Sequence, residues 1–243
     1  MGGAMKLCKL ISGLFLILSI TEMSHGEEGR KTLLFGTLDY FGVGGFNESF
    51  EKTTNDAANV IANAGQPANA KTETKAGYGA RFGIMFPIQS VNGFEAGGSI
   101  GYLVGPQAEQ TLEVVGPPLG NGNLKQTTKT DFFRFLLEIA EKVKIRDNVS
   151  LRLGAGLGGV SCHAKENHST SGSVLAVTGI ASGSSSETWT GFTWEISPAL
   201  VLEGASASFE IGLRYAQFPS KNENDNFDKI KWAPIGAYLG VEF

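Results

Sequence analysis

Cysteine is nearly absent, with Cys8 and Cys162 the only two in 243 residues. Cys8 falls in a stretch that reads as a disposable leader, so the exported chain has no partner for an intramolecular disulfide, and stability must come from the fold. Long apolar runs are as scarce. The candidate, Leu10–Ile20 behind Lys6 and Lys9, meets Glu22 well before the roughly 20 apolar residues that a membrane helix needs. It reads as a secretory signal over residues 1–26, with cleavage placed after Gly26 at an imperfect small-x-small site; Met5 is an equally good start. Positive charge is in deficit too. Twenty Lys and Arg stand against 24 Asp and Glu, net −4, and loss of the leader with its two lysines and one glutamate makes the rest slightly more acidic. A phosphate-gripping surface needs a basic footprint, which sets nucleic acid aside.

What the chain has is glycine, 33 of them, and 10% aromatics, at a mean hydropathy of −0.02. A neutral mean arises naturally when every second residue of a strand faces lipid and the others face a polar lumen. Eight segments of the length a tilted strand needs show this period of two. Residues 76–86 set Ala76, Tyr78, Ala80, Phe82, Ile84 and Phe86 against Gly77, Gly79, Arg81, Gly83 and Met85; residues 94–104 set Phe94, Ala96, Ile100, Tyr102 and Val104 against Glu95, Gly97, Ser99 and Gly101. Residues 130–143 place Phe133, Phe135, Leu137 and Ile139 against Arg134, Glu138 and Ala140, although FFRFLLEIAEKVKI is also compatible with a helix. The others are 33–45, 149–160, 189–201, 207–217 and 232–243.

The connections alternate in length. Short ones at 87–93, 144–148 and 203–206 carry turn formers, whereas 46–75, 105–129, 161–188 and 218–231 are long and rich in Asn, Gly, Ser, Thr and Pro. Within the first of these, Asp56–Asn63 reads as a short helix capped by Asp56 or as an unstructured stretch. The expected fold is therefore all-β: one domain over 27–243, an eight-stranded antiparallel transmembrane β-barrel with short periplasmic turns and long outer loops.

The chain ends on LGVEF, with Leu239, Val241 and Phe243 on one face. Together with the leader and the eight alternating segments, this terminus resembles the OmpA/OmpX-type small outer-membrane β-barrel family across the whole exported chain. The resemblance implies an outer-membrane location, outer-membrane lipids as surroundings, and reading of Leu239, Val241 and Phe243 by the barrel-assembly machinery. A peptidoglycan-binding domain like that of the longer members is not expected.

Parity places ten charges on the lumen face: Asp39, Arg81, Glu95, Arg134, Glu138, Arg152, Glu195, Glu210, Arg214 and Glu242. Buried charges must pair, and an eight-stranded interior is just wide enough for side chains to fill it, so a plugging ion-pair network is expected. Inward glycines at 77, 79, 83, 97, 101, 154, 156 and 158 would leave room beside it for a narrow polar pathway or a small ligand.

Three motifs are weaker. Gly154-Ala-Gly-Leu-Gly-Gly159 fits the dinucleotide pattern GxGxxG, but a loop-like stretch follows it where a helix should. Cys162, His163, Glu166 and His168 are metal-ligand types without metal-ligand spacing, so no metal and no cofactor is expected. His168-Ser169 would suit a lipid hydrolase only with an acidic orienting partner, which is not evident; no catalytic residue is assigned. Tyr40, Phe41, Tyr102, Phe132, Trp189, Trp194, Tyr215, Phe218 and Trp232 lie near strand ends and suit interfacial girdles, or simply reflect β-propensity. The functional expectation is a non-enzymatic barrel with a structural or surface-interaction role, with an extracellular ligand at the outer loops as one option. A narrow channel is the first alternative. A soluble periplasmic barrel with inverted facing is the second.

Overall fold

A computed structural model of the protein describes residues 32–44, 46–63, 65–88, 93–116, 120–172, 181–219 and 232–243; the leader expected at 1–26 lies outside them. In chain order the elements are β1 (Leu33–Phe41), α1 (Phe46–Asn63), β2 (Ala68–Lys75), β3 (Gly77–Pro87), β4 (Phe94–Val114), β5 (Gly122–Arg146), β6 (Val149–Gly172), β7 (Gly183–Glu203), β8 (Ser208–Gln217) and β9 (Ile235–Glu242). Hydrogen bonding runs β1-β3-β4-β5-β6-β7-β8-β9 and returns to β1, always antiparallel, so eight strands close a ring. β2 is not a ninth stave. It continues β3 along the same partner, with Lys75 opposite Gln107 and Tyr78 opposite Val104. The interruption falls at Gly105-Pro106 of β4, where the register with β5 shifts between Val104 and Gln107. Pro106 has no N–H to give to a ladder, and its carbonyl accepts the Thr130 hydroxyl at 2.9 Å.

Alternation decides the facing. Along β5, Phe133, Phe135, Leu137 and Ile139 are exposed on the outside while Arg134, Leu136, Glu138 and Ala140 are buried within. This stretch is a strand and not the competing helix, which would have scattered these positions around an axis. The same outward facing gives Leu38, Ile100, Leu151, Leu153, Leu157, Ile196, Leu200, Ile211, Leu213, Ile235 and Leu239 to a continuous apolar belt around the ring. Such a belt has its polar side inside, opposite to a soluble barrel, and it belongs in hydrocarbon. The inverted, soluble alternative is thereby excluded.

The turns at one end are tight. β5 and β6 are joined by Asp147-Asn148, Gly204 N–H donates to the Ala207 carbonyl at 3.0 Å, and the Gly93 carbonyl accepts Lys142 N–H at 2.7 Å. Gly93 has φ +83°, a conformation that a side chain would oppose.

At the other end the expectation of long loops needs correction. Much of 46–75, 105–129 and 161–188 is regular, because β4, β5, β6 and β7 run on past the ring and β2 joins them. A strand pair already in register extends at little cost, and Thr-rich polar sequence is good strand material when one side is wet. β1, β8 and β9 stop lower; β7 pairs with β8 only as far as Trp194↔Gln217. The upper part is thus an open five-stranded sheet, in the order β2-β4-β5-β6-β7.

α1 packs on its inner face, against Ala108, Leu112 and Val114. The sequence reading placed only a short helix with Asp56 as its cap; the helix spans 18 residues and Asp56 lies exposed in its interior. It starts after Gly44 (φ +49°), and one stripe, Phe46, Phe50, Thr54, Ala58 and Ile61, turns to the sheet. Gln110 Nε2 of β4 donates to the Phe50 carbonyl (3.1 Å) and to Thr54 Oγ1 (2.6 Å), while Thr72 of β2 donates to the same hydroxyl at 3.0 Å. Ile61 seats on Leu112 and Val114.

Candidate functional site in the barrel lumen

The interior of the ring is layered. All ten charges placed inward by parity are buried, and they sort into two groups. In the group nearer the upper sheet, Arg81, Arg134 and Arg214 meet Asp39, Glu138 and Glu195. Arg134 reaches Glu195 through Nη1 at 2.7 Å and Asp39 through Nη2 at 3.0 Å, using the planar fork that lets one guanidinium join two carboxylates. Arg81 Nη1 lies 3.1 Å from Glu138 and also bonds Glu195. Arg214 bonds Asp39 through Nη1 and approaches Glu195 through Nε at 3.3 Å. Glu195 therefore faces three arginines from three different strands. Ser99 donates to Glu138, and Thr37 to Asp39 at 3.1 Å.

The second group is more acidic. Arg152 lies 3.4 Å from Glu95, 3.2 Å from Glu210 and 3.7 Å from Glu242, and Lys142 Nζ reaches Glu242 at 2.8 Å. Lys142 was missed in the sequence reading although it shares parity with Arg134 and Glu138. Tyr238 was missed for the same reason: it is buried inward, and the Arg214 guanidinium lies over its ring at 4.3 Å. Inward parity on the last strand was read only at Glu242.

Apolar side chains line the lumen at two levels. Phe35, Met85 and Ala140, with Leu33, lie among the second charge group near the tight turns, Phe35 beside Glu242 and Ala140 beside Glu95 across the ladder. The ceiling is aromatic: Phe41, Phe132, Phe218 and Trp232 come together with Leu103, Val160, Cys162 and Ala216, and α1 adds Phe46 and Phe50. Trp232 stacks on Phe218 with centroids 4.5 Å apart, meets Phe132 at 5.0 Å, and donates from Nε1 to the Gly42 carbonyl at 3.2 Å. Arginines touch both levels, Arg81 over Phe35 at 5.5 Å and Arg134 over Phe41 at 5.7 Å.

This corrects the girdle assignment. Of the nine aromatics read as interfacial, Phe41, Phe132, Phe218 and Trp232 face inward and Trp189 packs partly buried against their cluster. Tyr40, Tyr102 and Tyr215 do stand outward, as does Trp194, whose ring contacts Tyr215 at 5.4 Å and whose indole N–H meets Gln217. The outward ring is completed by Tyr78, Phe133 and Phe192. Neighbours in sequence, Tyr40 and Phe41 or Phe132 and Phe133, must point to opposite faces of a strand.

The glycines do not leave room. A side chain at Gly101 would meet Arg134, one at Gly156 would meet Glu195 and Glu138, and one at Gly83 the Phe35 ring. At Gly97 and Gly158 a Cβ would collide with the carbonyls of Ile84 and Phe135 on adjacent strands.

The remaining motifs separate. Gly154–Gly159 lies wholly within β6 with strand continuing beyond it, so no helix N-terminus is present to hold a pyrophosphate. Cys162 is buried in the aromatic ceiling, His163 is outward with Nδ1 3.0 Å from Thr188 Oγ1, and Glu166 and His168 are inward with Oε1 and Nδ1 3.9 Å apart. Among the described residues no group of three His, Cys, Asp or Glu could hold a metal ion. His168 and Ser169 are adjacent on a strand and point apart. Leu239 and Phe243 are exposed on the outer wall with Val241 partly so; Phe243 exchanges backbone hydrogen bonds with Leu34 (2.8 and 3.1 Å) where the ring closes.

A closed ring of eight antiparallel strands, apolar outside and charged inside, defines a small outer-membrane β-barrel of the OmpA/OmpX architectural type. No family model matches the chain, and no curated protein matches it. Solved structures do. Neisserial surface protein A is matched over 88% of this chain and 98% of its own at 12% identity and a TM-score of 0.38. Ail, the attachment invasion locus protein of Yersinia pestis, solved with the heparin analogue sucrose octasulfate, is matched over 89% and 100% at 14% identity and 0.37. The outer membrane protein OprG of Pseudomonas aeruginosa is matched over 89% and 96% at 10% identity and 0.35.

Proposed function

We propose that this barrel is non-enzymatic and that its polar lumen is stoppered, leaving a structural role for the wall and a contact role for the upper sheet. The observation that carries the reading is the filling of the lumen: two groups of paired charges, the lower one sharing its level with Phe35, Met85 and Ala140, and an aromatic ceiling closed by Phe46 and Phe50 of α1. Each paired guanidinium spans between strands and so ties the wall across its own interior. Outer-membrane lipid is the partner of the belt, and the outward Leu239, Val241 and Phe243 form the face offered to the assembly machinery.

A narrow polar pathway is the second reading. It is favoured by buried polar atoms without a protein partner, Arg81 Nε, Arg134 Nε, Arg214 Nη2 and Tyr238 OH, which are places where ordered water would bond. Planar-bilayer recording on the refolded, heat-modifiable barrel separates the two. The stoppered reading expects a silent bilayer; steady ohmic steps that survive repurification would replace it with the channel.

A further inference from the structure

Above the apolar belt, hydrogen-bonded neighbours form a row across the outer face of the upper sheet: Lys75 on β2, Gln107 on β4, Lys129 on β5, Lys165 on β6 and Ser186 on β7. The three lysines are exposed. Lys129 and Lys165 are direct partners across the ladder, so their Cα atoms are about 5 Å apart and their side chains leave on the same side. Like charges placed directly opposite destabilise a strand pair, and nothing in the fold calls for two cations there.

Nearby acids are already engaged. Glu109 pairs with Lys125 at 2.6 Å, Glu73 with Lys71 at 2.6 Å, and Asp131, one outward position below Lys129, shares a hydrogen bond with the Tyr102 hydroxyl. Lys75 feels the charge of Glu73, but among the described residues neither Lys129 nor Lys165 is in an ion pair.

The height of the Lys129–Lys165 pair matters as much as its charge. Lys129 lies four residues along β5 from Phe133, which belongs to the outward aromatic ring with Tyr40, Tyr78 and Tyr102. At about 3.3 Å per residue and a tilt near 40°, that is roughly 10 Å above the edge of the hydrocarbon. A lysine stem that leans towards the membrane brings its ammonium into the headgroup layer, which is about 5–8 Å deep.

We propose that Lys129 and Lys165, flanked by Lys75, bind the phosphate of an anionic lipid headgroup in the leaflet facing the upper sheet. The phosphate relieves the repulsion between the lysines, and the wall gains an attachment to the lipid around it. The inference rests on the outer-membrane barrel reading but not on the stoppered lumen.

The test is native mass spectrometry of the full barrel, refolded in detergent with equal amounts of phosphatidic acid and phosphatidylcholine. The wild type is expected to retain phosphatidic acid preferentially. Lys129→Gln/Lys165→Gln should lower that preference about fivefold for each lysine removed, while Lys71→Gln, which removes a lysine already paired, should leave it unchanged. Equal retention of both lipids by the wild type, or an unchanged preference in the double variant, overturns the proposal. Loss of the preference in a millimolar excess of inorganic phosphate also overturns it, by showing a site for the free ion. A gel shift between unheated and boiled samples of each variant checks the barrel separately, so failure of the fold and failure of the lipid site are told apart.

Discussion

The same four strands, β4 to β7, live in two solvents. Within the ring their outward residues are apolar and their inward residues charged: Ile100 and Tyr102 face out on β4 while Glu95 and Ser99 face in. Above the ring the order reverses on β4, with Ala108, Leu112 and Val114 turned in towards α1 and Gln107, Glu109, Thr111 and Glu113 turned out. The change of side falls where the outward aromatics stop and where Pro106 breaks the ladder. An alternating strand has no intrinsic inside. What lies against each face decides which set of residues is stabilising, and here lipid gives way to water within a turn or two of chain.

The comparison breaks most visibly at the charges. Glu195→Leu leaves Arg81, Arg134 and Arg214 short of a shared buried partner and is expected to destabilise the barrel by about 3–5 kcal/mol. Glu109→Gln, which breaks a partly exposed pair with Lys125 in the upper sheet, should cost no more than about 1 kcal/mol. Urea unfolding in detergent, followed by tryptophan fluorescence, reads both; comparable losses would mean that the interior of the ring is as wet as the sheet above it.

A cation on the outer wall sharpens the solvent boundary. Leu137→Lys sits in the belt and should cost about 2–4 kcal/mol when the barrel is folded in vesicles. Thr127→Lys stands at an outward position of the same strand above the belt and should stay within about 0.5 kcal/mol of wild type. A small effect at Leu137 would move the belt away from lipid.

The smallest expected effect is a pH dependence confined to the upper sheet. Burial pushes the Glu166 carboxyl above its ordinary range, and the facing His168 draws it back in part. A raised value in the folded state means that the folded protein holds this proton more tightly than the unfolded chain. The resulting stabilisation is complete below the ordinary carboxylate range and is lost as pH rises through the raised value. Glu166→Gln should remove that slope and make the protein slightly more stable at neutral pH, by less than about 1 kcal/mol. Urea midpoints taken across pH 4–8 for both proteins would show it, and parallel curves would count against the shift.

Much of this was legible in the residues, and the rest fails for identifiable reasons. Parity along a strand is a local property, so Asp39, Arg81, Arg134 and Glu195 could be placed on one face without knowing their partners, and the strand cores came out close to where they lie. Phe41, Phe132, Phe218 and Trp232 were misplaced because their position near strand ends was given more weight than their parity, and because a cluster assembled from β1, β5 and the ends flanking β8 and β9 leaves no local trace. The upper strands were read as loops since their Ser, Thr and Asn content suits a turn as well as a wet strand. α1 was read short because Phe46 and Phe50 look like ordinary loop apolars until the sheet that receives them is in place.

By itself, then, the sequence determined the period, the strand count and the set of residues that share each face, because these depend only on neighbours one and two positions apart. The tertiary structure alone decided which carboxylate meets which guanidinium, where the facing reverses, and that Lys129 stands directly opposite Lys165. Those depend on the register between strands, which is set only when the ring closes and every strand is held from both sides.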